Sequence, residues 1–280
     1  MQKIIGLVGY VNKSELVINL AKTLSITGKK VLVIDGTLEE RLRYTIPAFN
    51  NSEKEYLTNF DGVDYALGFN SIDAIKEYIC TKTSDADTYD IILLDIDNAD
   101  AYVGFRQGGE EFSRTFFFIE YLNISFGRNA EILKALTSFI EDGKKPVLTR
   151  VIYKQYVSRT SDKYFTRMIE DYPIEWNERE YELPFMEQDK IADIEMQQSG
   201  YIDVNRHTKQ FISMMADIAS DILGDVNSAD IKKMIKEMAD VRNVLNQFIL
   251  AYEMLEEELN KEGTYKNIRT LQRIENGIYK

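Results

Sequence analysis

Short apolar segments alternate with amphipathic segments of helical period along most of the chain. The apolar runs predict strands at 3–8, 30–34, 89–95, 114–121, 146–153 and 181–185. The helical pattern predicts helices at 13–26, 71–78, 129–142, 162–171, 187–199 and 206–223, and the polar stretch 37–61 is expected to be irregular. This order is typical of an α/β fold, a mostly parallel twisted sheet with helices on both faces.

The pattern changes after Gly224, so the sequence predicts one domain at 1–224 and a C-terminal helical extension at 225–280. From position 228 onward, apolar residues recur at alternating steps of three and four, which is the heptad seam of a coiled coil. The seam consists of Ile231, Met234, Met238, Val241, Leu245, Phe248, Tyr252, Leu255 and Leu259. We expect residues 228–262 either to cover the chain's own domain or to bind a protein partner, including a second copy in a homodimer.

The last segment, 263–280, is basic as well as amphipathic. Ile268, Leu271, Ile274 and Ile278 share one helical face, and lysines and arginines add positive charge. Such a segment can lie on an anionic membrane surface. It is also short and has neither Trp nor Phe on its apolar face, so a tail docked on protein or a disordered tail is the alternative.

The net charge of −12 over 280 residues argues against a surface devoted to nucleic acid. The single cysteine, Cys80, excludes an intramolecular disulfide and a cysteine-based zinc cluster. No secretory signal pattern opens the sequence, and no apolar run approaches the roughly 20 residues that span a bilayer. We therefore expect a cytoplasmic protein, with any peripheral membrane position provided by its tail. The lone histidine, His207, is expected on a helix surface.

Residues 6–15, GLVGYVNKSE, connect the first predicted strand to the first predicted helix. At such a junction, backbone N–H groups and the positive end of the helix dipole converge on phosphate oxygens. A lysine adds positive charge near the phosphates, and a serine hydroxyl can bind magnesium. Lys13 and Ser14 supply that pair here, although Tyr10 and Asn12 stand where such loops have glycine.

Together with later segments, this loop resembles that of the ParA/MinD-like ATPases, the deviant Walker A branch of the P-loop proteins. The family's loop, KGGVGKTT, aligns with VGYVNKSE at 8–15, and LVINLAKTLSITGKKVLVID at 16–35 resembles the helix and strand that follow. YDIILLDID at 89–97 resembles the Walker B strand, and LPFMEQDKIADIEMQQSGYID at 183–203 resembles the late segment near the adenine. The resemblance rests on the order and spacing of these pieces, and it spans 1–224.

The resemblance implies a nucleotide site that takes ATP or ADP with Mg²⁺. The implied nucleotide-binding residues are Gly9, Tyr10, Val11, Asn12, Lys13, Ser14, Glu15, Arg150, Pro184 and Phe185, and the implied metal site is Ser14, Asp35 and Asp95. The residues alone leave other roles open. Lys13 and Ser14 could be a solvated first helical turn, the aspartates could cap helices or form turns, and Arg150 could form a surface ion pair.

Three departures from the family pattern bear on hydrolysis. Val8 stands at the signature lysine that reaches the partner's nucleotide in a dimer, and Thr37 replaces an aspartate near the attacking water. Tyr10 adds bulk where the backbone approaches a phosphate. A threonine hydroxyl is a poor general base, so no catalytic residue is assigned. We expect hydrolysis to be slow or absent and nucleotide binding to persist.

Among relatives, the TadZ/CpaE-like branch looks closest, because its members have altered loops. That resemblance implies a dimeric localisation and assembly factor for a membrane-associated machine such as a pilus or secretion system. Two alternatives stay open at this point. One is an active ATPase in plasmid or chromosome partition or in division-site positioning. The other is a nucleotide-independent coiled-coil scaffold.

Overall fold

The computed structural model describes residues 2–47, 56–69, 71–82, 89–107, 111–140, 145–154 and 159–261. The strands are β1 Lys3–Val8, β2 Val31–Asp35, β3 Leu57–Phe60, β4 Val63–Leu67, β5 Ile91–Ile96, β6 Arg114–Glu120, β7 Val147–Lys154, β8 Glu175–Trp176 and β9 Tyr181–Pro184. The helices are α1 Ser14–Ile26, α2 Leu42–Thr45, α3 Ile72–Lys82, α4 Ala99–Gln107, α5 Asn123–Thr137, α6 Arg159–Ile169, α7 Glu187–Ser199, α8 Lys209–Leu223 and α9 Ser228–Lys261, with a 3₁₀ turn at Val204–Arg206.

The strands form a single sheet in the order β3-β4-β2-β5-β1-β6-β7-β8, and β9 also pairs with β7. The β3–β4 pair is antiparallel and the other described pairs are parallel. Because parallel strands end at the same edge, β1, β2 and β5 deliver their last residues to one place. The register pairs Asp35 of β2 with Asp95 of β5, and Leu7 of β1 with that same aspartate.

Two apolar clusters cover the two faces of the sheet, because successive strand side chains point to opposite sides. Ile5 and Leu7 belong to a cluster with α1, α8 and the beginning of α9. Ile4 and Val8 belong to the other cluster, with side chains from α3, α4, α5 and α6. The predicted α/β architecture, with helices on both faces of a mostly parallel sheet, is confirmed.

Several local features differ from the sequence-based expectation, including the short helix α2 inside the polar stretch 37–61 and the short strand β8. The end of the polar stretch 37–61 enters a hairpin, β3–β4, whose turn residues Asp61 and Gly62 both have positive φ. Helix α4 was not predicted, and its first turn is capped where the Asn98 side chain accepts a hydrogen bond from the Ala101 amide. Helix α5 begins at Asn123, six residues before the predicted start.

The chain divides into two compact units, 1–235 and 236–280, and the boundary lies inside α9. Ile231 and Ile235, at the beginning of α9, belong to the core of the first unit. In the second unit, Phe248 and Met254 are 70% and 67% exposed. The predicted membrane-contacting tail, 263–280, lies outside the described residues. No helix in the described part of the chain has the length and apolar character to cross a bilayer.

Candidate nucleotide site

The loop between β1 and α1 begins at Gly9, whose backbone only a glycine fits. Gly9 has φ +139°, and a Cβ on it would lie 2.4 Å from the carbonyl oxygen of Phe118 on β6. The next strand therefore approaches the loop backbone directly. Val8, at the position of the family's signature lysine, is fully buried in β1.

Four backbone amides of the loop are hydrogen-bonded inside the protein, and the first, that of Gly9, donates to the Ile96 carbonyl at 2.9 Å. The Tyr10 amide donates to Oδ1 of Asn129 on α5 at 2.7 Å, and the Val11 amide donates to the Gly9 carbonyl at 3.0 Å. The Ser14 amide donates to the Asn12 side chain at 3.4 Å. Free N–H groups are what such a loop offers to phosphate, so these contacts reduce its anion-binding capacity. The Tyr10 ring is half-buried against the apolar cluster that contains α5.

Lys13 is a buried residue whose ammonium group contacts internal partners. Its Nζ lies 2.7 Å from Asp95 Oδ1, and it donates to the carbonyls of Gly9 at 2.9 Å and Ile96 at 3.2 Å. All three oxygens lie within 3.2 Å of an ammonium group that has three N–H donors. Burial raises the pKa of Asp95, and the charge of Lys13 partly offsets that effect. In this arrangement Lys13 neutralises the aspartate at the end of β5.

Asp35 and Thr37 form a second closed group at the same edge of the sheet. The Thr37 hydroxyl donates to Asp35 Oδ1 at 2.5 Å, and the other carboxylate oxygen accepts the Leu42 amide at 2.8 Å. Burial, followed by the negative charge of Asp95, raises the pKa of Asp35 to about 6. Asp35 thus links β2 to the start of α2, and the Thr37 hydroxyl donates to it.

The predicted magnesium ligands fit a metal ion only in part. Ser14 Oγ and Asp95 Oδ2 are buried polar atoms that lack a hydrogen-bond partner among the described residues, so both are available as ligands. Asp35 is engaged as just described. No cluster of three His, Cys, Asp or Glu side chains suited to a metal occurs in the described ranges. A metal ion here would depend on oxygen atoms from a bound nucleotide.

A cavity of about 210 Å³ opens beside the start of α1. Its polar lining includes three carboxyl groups and one lysine, and Phe185 presents an aromatic ring that is 62% exposed. The complete lining is Asn12, Glu15, Leu16, Tyr153, Leu183, Pro184, Phe185, Met186, Asp189, Lys190, Asp193 and Phe211. A mostly apolar hollow with a few convergent polar groups is the usual form of a small-molecule site.

The side of the cavity next to α7 is fixed by buried polar contacts. His207 Nε2 lies 3.1 Å from Asp193 Oδ1, and its ring stacks on Phe211 with centroids 4.3 Å apart. Asn19 of α1 donates to the same Asp193 oxygen at 3.4 Å. Burial raises the pKa of Asp193, which the hydrogen bond from His207 opposes. The expectation that His207 is a surface residue is wrong, since its side chain is buried between α1 and α8.

The structure brings most of the predicted site residues to the loop or the cavity. Asn12, Glu15, Pro184 and Phe185 line the cavity, and the loop residues Gly9 to Ser14 lead into it. Asp35 and Asp95 lie at the ends of the neighbouring strands β2 and β5, and Arg150 lies apart from the loop and the cavity. Its guanidinium pairs with Glu180 at 2.8 Å and lies over the Trp176 ring, which places it with β8 and away from the cavity lining.

Sequence reasoning missed Asn129 and Asp193. Asn129 is fully buried on α5, where it accepts the Tyr10 amide and donates to the Phe118 carbonyl. A polar residue on the apolar face of a helix is the signal that could have identified it. Asp193 lies one helical turn beyond Asp189, in the segment that resembles the family's adenine region. That resemblance could have identified it.

Comparison with known proteins gave matches to solved structures only. No family model matches the chain, and no curated protein matches it. The structure is similar to a ParA family ATPase from Chlorobium tepidum TLS, with a TM-score of 0.55, 18% identity and coverage of 78% of this chain and 99% of that one.

Two further similar structures have the same fold. One is the MinC:MinD cell division complex of Aquifex aeolicus, with a TM-score of 0.53, 14% identity and coverage of 80% and 97% of the two chains. The other is a protein named for plasmid partition from Borrelia burgdorferi B31, bound to AMPPNP, with a TM-score of 0.50, 13% identity and coverage of 81% and 100%. At these identities the likeness shows the fold alone: the chain has the P-loop fold of the ParA/MinD ATPases.

Proposed function

We propose that this protein binds ATP or ADP and hydrolyses ATP slowly or not at all, serving as a dimeric localisation factor for a membrane-associated assembly such as a pilus or secretion system. Its expected address is the cytoplasm, with peripheral membrane contact through residues 263–280. The proposal of slow hydrolysis rests on the internal pairing of Lys13 with Asp95. The proposal of nucleotide binding rests on the cavity beside α1.

Slow hydrolysis follows from the groups that a phosphoryl-transfer site needs. Such sites depend on preorganised positive charge at the phosphates and on a group that orients the attacking water. The Lys13 ammonium group contacts Asp95 and two backbone carbonyls, and the Thr37 hydroxyl donates to Asp35. The Lys13 ammonium group would therefore have to leave a buried ion pair before its charge could stabilise the transition state.

Nucleotide binding draws on the cavity and on two available metal ligands. The exposed Phe185 ring can stack on a base, and Tyr153 and Leu183 supply apolar contacts behind it. Ser14 and Asp95 would hold Mg²⁺ together with phosphate oxygens, and the ion would supply positive charge where Lys13 is withheld. The cavity, where the nucleotide base would bind, is therefore expected to contribute most of the affinity.

The experiment measures binding and turnover on one preparation. Isothermal titration calorimetry with ATP and ADP, each with and without Mg²⁺, reports affinity, and phosphate release with DNA or liposomes reports hydrolysis. We expect binding by the wild type, at least tenfold weaker binding by Phe185→Ala, and turnover below about 1 per minute. Lys13→Ala should also bind more weakly, because Asp95 would keep a negative charge beside the phosphates without its counter-charge.

Lys22→Ala is the matched control for Lys13→Ala. Lys22 is likewise a buried lysine, on α1, and its Nζ pairs with Asp61 Oδ2 of the β3–β4 turn at 2.9 Å. The control should lose stability and keep nucleotide affinity. Wild-type protein that ignores both nucleotides would end the binding proposal and favour a nucleotide-independent scaffold. Turnover stimulated well above 1 per minute would favour an active partition or positioning ATPase.

The partner role is tested separately. The exposed apolar side chains of α9, which include Val241 and Leu245, are the expected contact for a protein partner or second copy. Analytical ultracentrifugation of the wild type and of Val241→Lys/Leu245→Lys, each with and without ATP, measures association. Dimers that persist in the variant would place the dimer contact elsewhere on the molecule.

A further inference from the structure

Arg41 is a partly buried cation beside the candidate site. It lies between β2 and α2, and its side chain is 19% exposed. Its Nε donates to Glu39 Oε2 at 3.1 Å, and a terminal guanidinium nitrogen lies 3.6 Å from Oδ2 of Asp97. Asp97 directly follows β5, the strand that carries Asp95. The guanidinium therefore faces the end of β5.

Hydrogen bonds place the segment of Arg41 and the β1–α1 loop on two sides of that strand end. On one side, where β5 pairs with β2, the Leu38 amide donates to Asp97 Oδ1 at 3.0 Å. On the other side, where β5 pairs with β1, the Ile96 carbonyl accepts the Gly9 amide at 2.9 Å. Arg41 and the loop proposed to hold phosphates thus meet at one strand end.

The guanidinium has donors available for an anionic ligand. Among the residues that the structure describes, its one hydrogen bond is that from Nε to Glu39, since 3.6 Å to Asp97 is too long for another. A guanidinium has five N–H donors in a planar fork that matches the oxygens of a phosphate. Lys13, in contrast, has three internal oxygens within 3.2 Å of its ammonium group.

The partner that holds Arg41 is easily exchanged. The Glu39 side chain is 70% exposed, and ion pairs exposed to water contribute little to stability. Burial lowers the pKa of Arg41, but its hydrogen bond with Glu39 and the surrounding carboxylate charges, including that of Asp95, raise it above its ordinary value. The guanidinium is thus kept in the field of Asp95 by a carboxylate that a phosphate can replace at low cost.

The position of the cavity indicates which phosphate would lie nearest to Arg41. Tyr153 on β7 and Leu183 on β9 line the cavity, and the sheet order from there is β7, β6, β1, β5, β2. Adjacent strands lie about 4.8 Å apart, so β7 and β5 are about 14 Å apart. A nucleotide whose base occupied the cavity would extend its phosphates past the β1–α1 loop, toward β5 and β2. The last phosphate would then be nearest to Arg41.

We propose that Arg41 binds the terminal phosphate of ATP, exchanging Glu39 for phosphate oxygens, and thereby makes the site prefer ATP to ADP. This inference rests on the proposed nucleotide binding. Arg41 supplies the positive charge that Lys13, paired with Asp95, does not.

Isothermal titration calorimetry with ATP and ADP, each with Mg²⁺, tests the role of Arg41. Arg41→Ala should weaken ATP binding about tenfold and ADP binding less than about threefold, because charge-assisted hydrogen bonds to the last phosphate are lost. Arg43→Ala is the matched control. Arg43 is two residues away, its side chain is 22% exposed, and it pairs with Glu40 at 2.7 Å. The control should change ATP affinity less than about twofold.

A second set of variants separates phosphate binding from a structural role. Glu39→Gln removes the competing carboxylate and should strengthen ATP binding about two- to fivefold, whereas Glu40→Gln, which removes a charge one residue away, should not. In an Arg41→Ala background, Glu39→Gln should no longer strengthen ATP binding. An arginine that only stabilised its segment through Glu39 would give weaker binding in both single variants. Urea denaturation confirms that every variant is folded.

The outcomes distinguish this inference from the function on which it rests. Wild-type protein that binds neither nucleotide would end both. If the wild type binds ATP, the role of Arg41 is overturned when Arg41→Ala loses no more ATP affinity than Arg43→Ala, or loses ATP and ADP affinity equally. It is also overturned when Glu39→Gln strengthens ATP binding to the same extent without Arg41. In these three cases the proposed nucleotide binding stands.

Discussion

The two ends of the candidate site satisfy their polar groups in different ways. At the loop end, Lys13, Asp35 and Thr37 are buried, and their partners belong to the same chain. At the cavity end, Phe185 is 62% exposed and the Lys190 side chain 49% exposed. One end is closed by its own contacts and the other is open to a ligand. Under the proposed function, nucleotide binding and phosphate cleavage depend on separate groups, so one can be lost while the other persists.

The energetic contrast follows from burial. A buried charge without a partner costs several kcal/mol, so the ion pair between Lys13 and Asp95 is difficult to open once formed. Solvent-exposed ion pairs contribute about 0–1 kcal/mol because water and salt screen them. Substitutions at the loop end should therefore change stability strongly, and those at the cavity end should change it little.

The largest effect is expected from removing Lys13. Lys13→Ala leaves the buried Asp95 without its counter-charge and should lower the free energy of unfolding by about 3–5 kcal/mol, as measured by urea denaturation at pH 7. The double variant Lys13→Met/Asp95→Leu removes both charges and should lose markedly less than the sum of the single variants. Additive losses would show that the two residues do not depend on each other.

The next effect is a pH dependence that originates at Asp35. Its pKa in the folded protein, about 6, lies above the ordinary value of 3.8, so folding favours the protonated carboxyl group. The resulting stabilisation is fully present below pH 3.8 and is lost as the pH rises through 6. At about 1.4 kcal/mol per pKa unit, this amounts to about 3 kcal/mol across the window.

Asp35→Asn checks the source of that dependence. The variant should show a flatter rise of unfolding free energy between pH 7 and pH 4 than the wild type. Burial also raises the pKa of Asp95 and Asp193, so part of the slope should remain. Parallel curves for the variant and the wild type would assign the whole dependence to those other carboxyl groups.

Some features of the site could be predicted from the sequence and others could not. The apolar run of β5 and the lysine-serine pair fixed the fold class and the position of the loop, because both depend on local pattern. Asp35 and Asp95 were expected together as part of the implied metal site, and the register of β2 and β5 pairs them. Features that follow from chain periodicity and strand direction were thus predictable.

Contacts between side chains that lie far apart in the sequence could not be predicted. Lys13 pairs with Asp95, which lies on a strand more than eighty residues later in the sequence, and the residues around Lys13 do not encode that contact. Asn129 reaches the loop from a helix more than a hundred residues later in the sequence. His207 is buried because α1 and α8 close over it, although its neighbours in sequence are polar.

A smaller effect is expected at Asn129, which ties the loop to α5. Asn129→Ala leaves the Tyr10 amide and the Phe118 carbonyl without that partner and should lower the free energy of unfolding by about 1–3 kcal/mol. Asn123→Ala is the matched control, because Asn123 is exposed on the same helix and should change stability by less than about 0.5 kcal/mol. Similar losses in the two variants would show that the loop contact is not the cause.

The smallest effect is expected at the cavity mouth, where Lys190 pairs with Glu15 at 2.8 Å. Because half of the Lys190 side chain is exposed, a double-mutant cycle with Lys190→Ala and Glu15→Ala should give a coupling of about 0.2–1 kcal/mol that shrinks in 0.5 M salt. A coupling as large as that between Lys13 and Asp95, and insensitive to salt, would mean that this end is also closed by its own contacts. The open cavity would then be the wrong place to look for a ligand, because the same closure that withholds Lys13 would extend across the whole site.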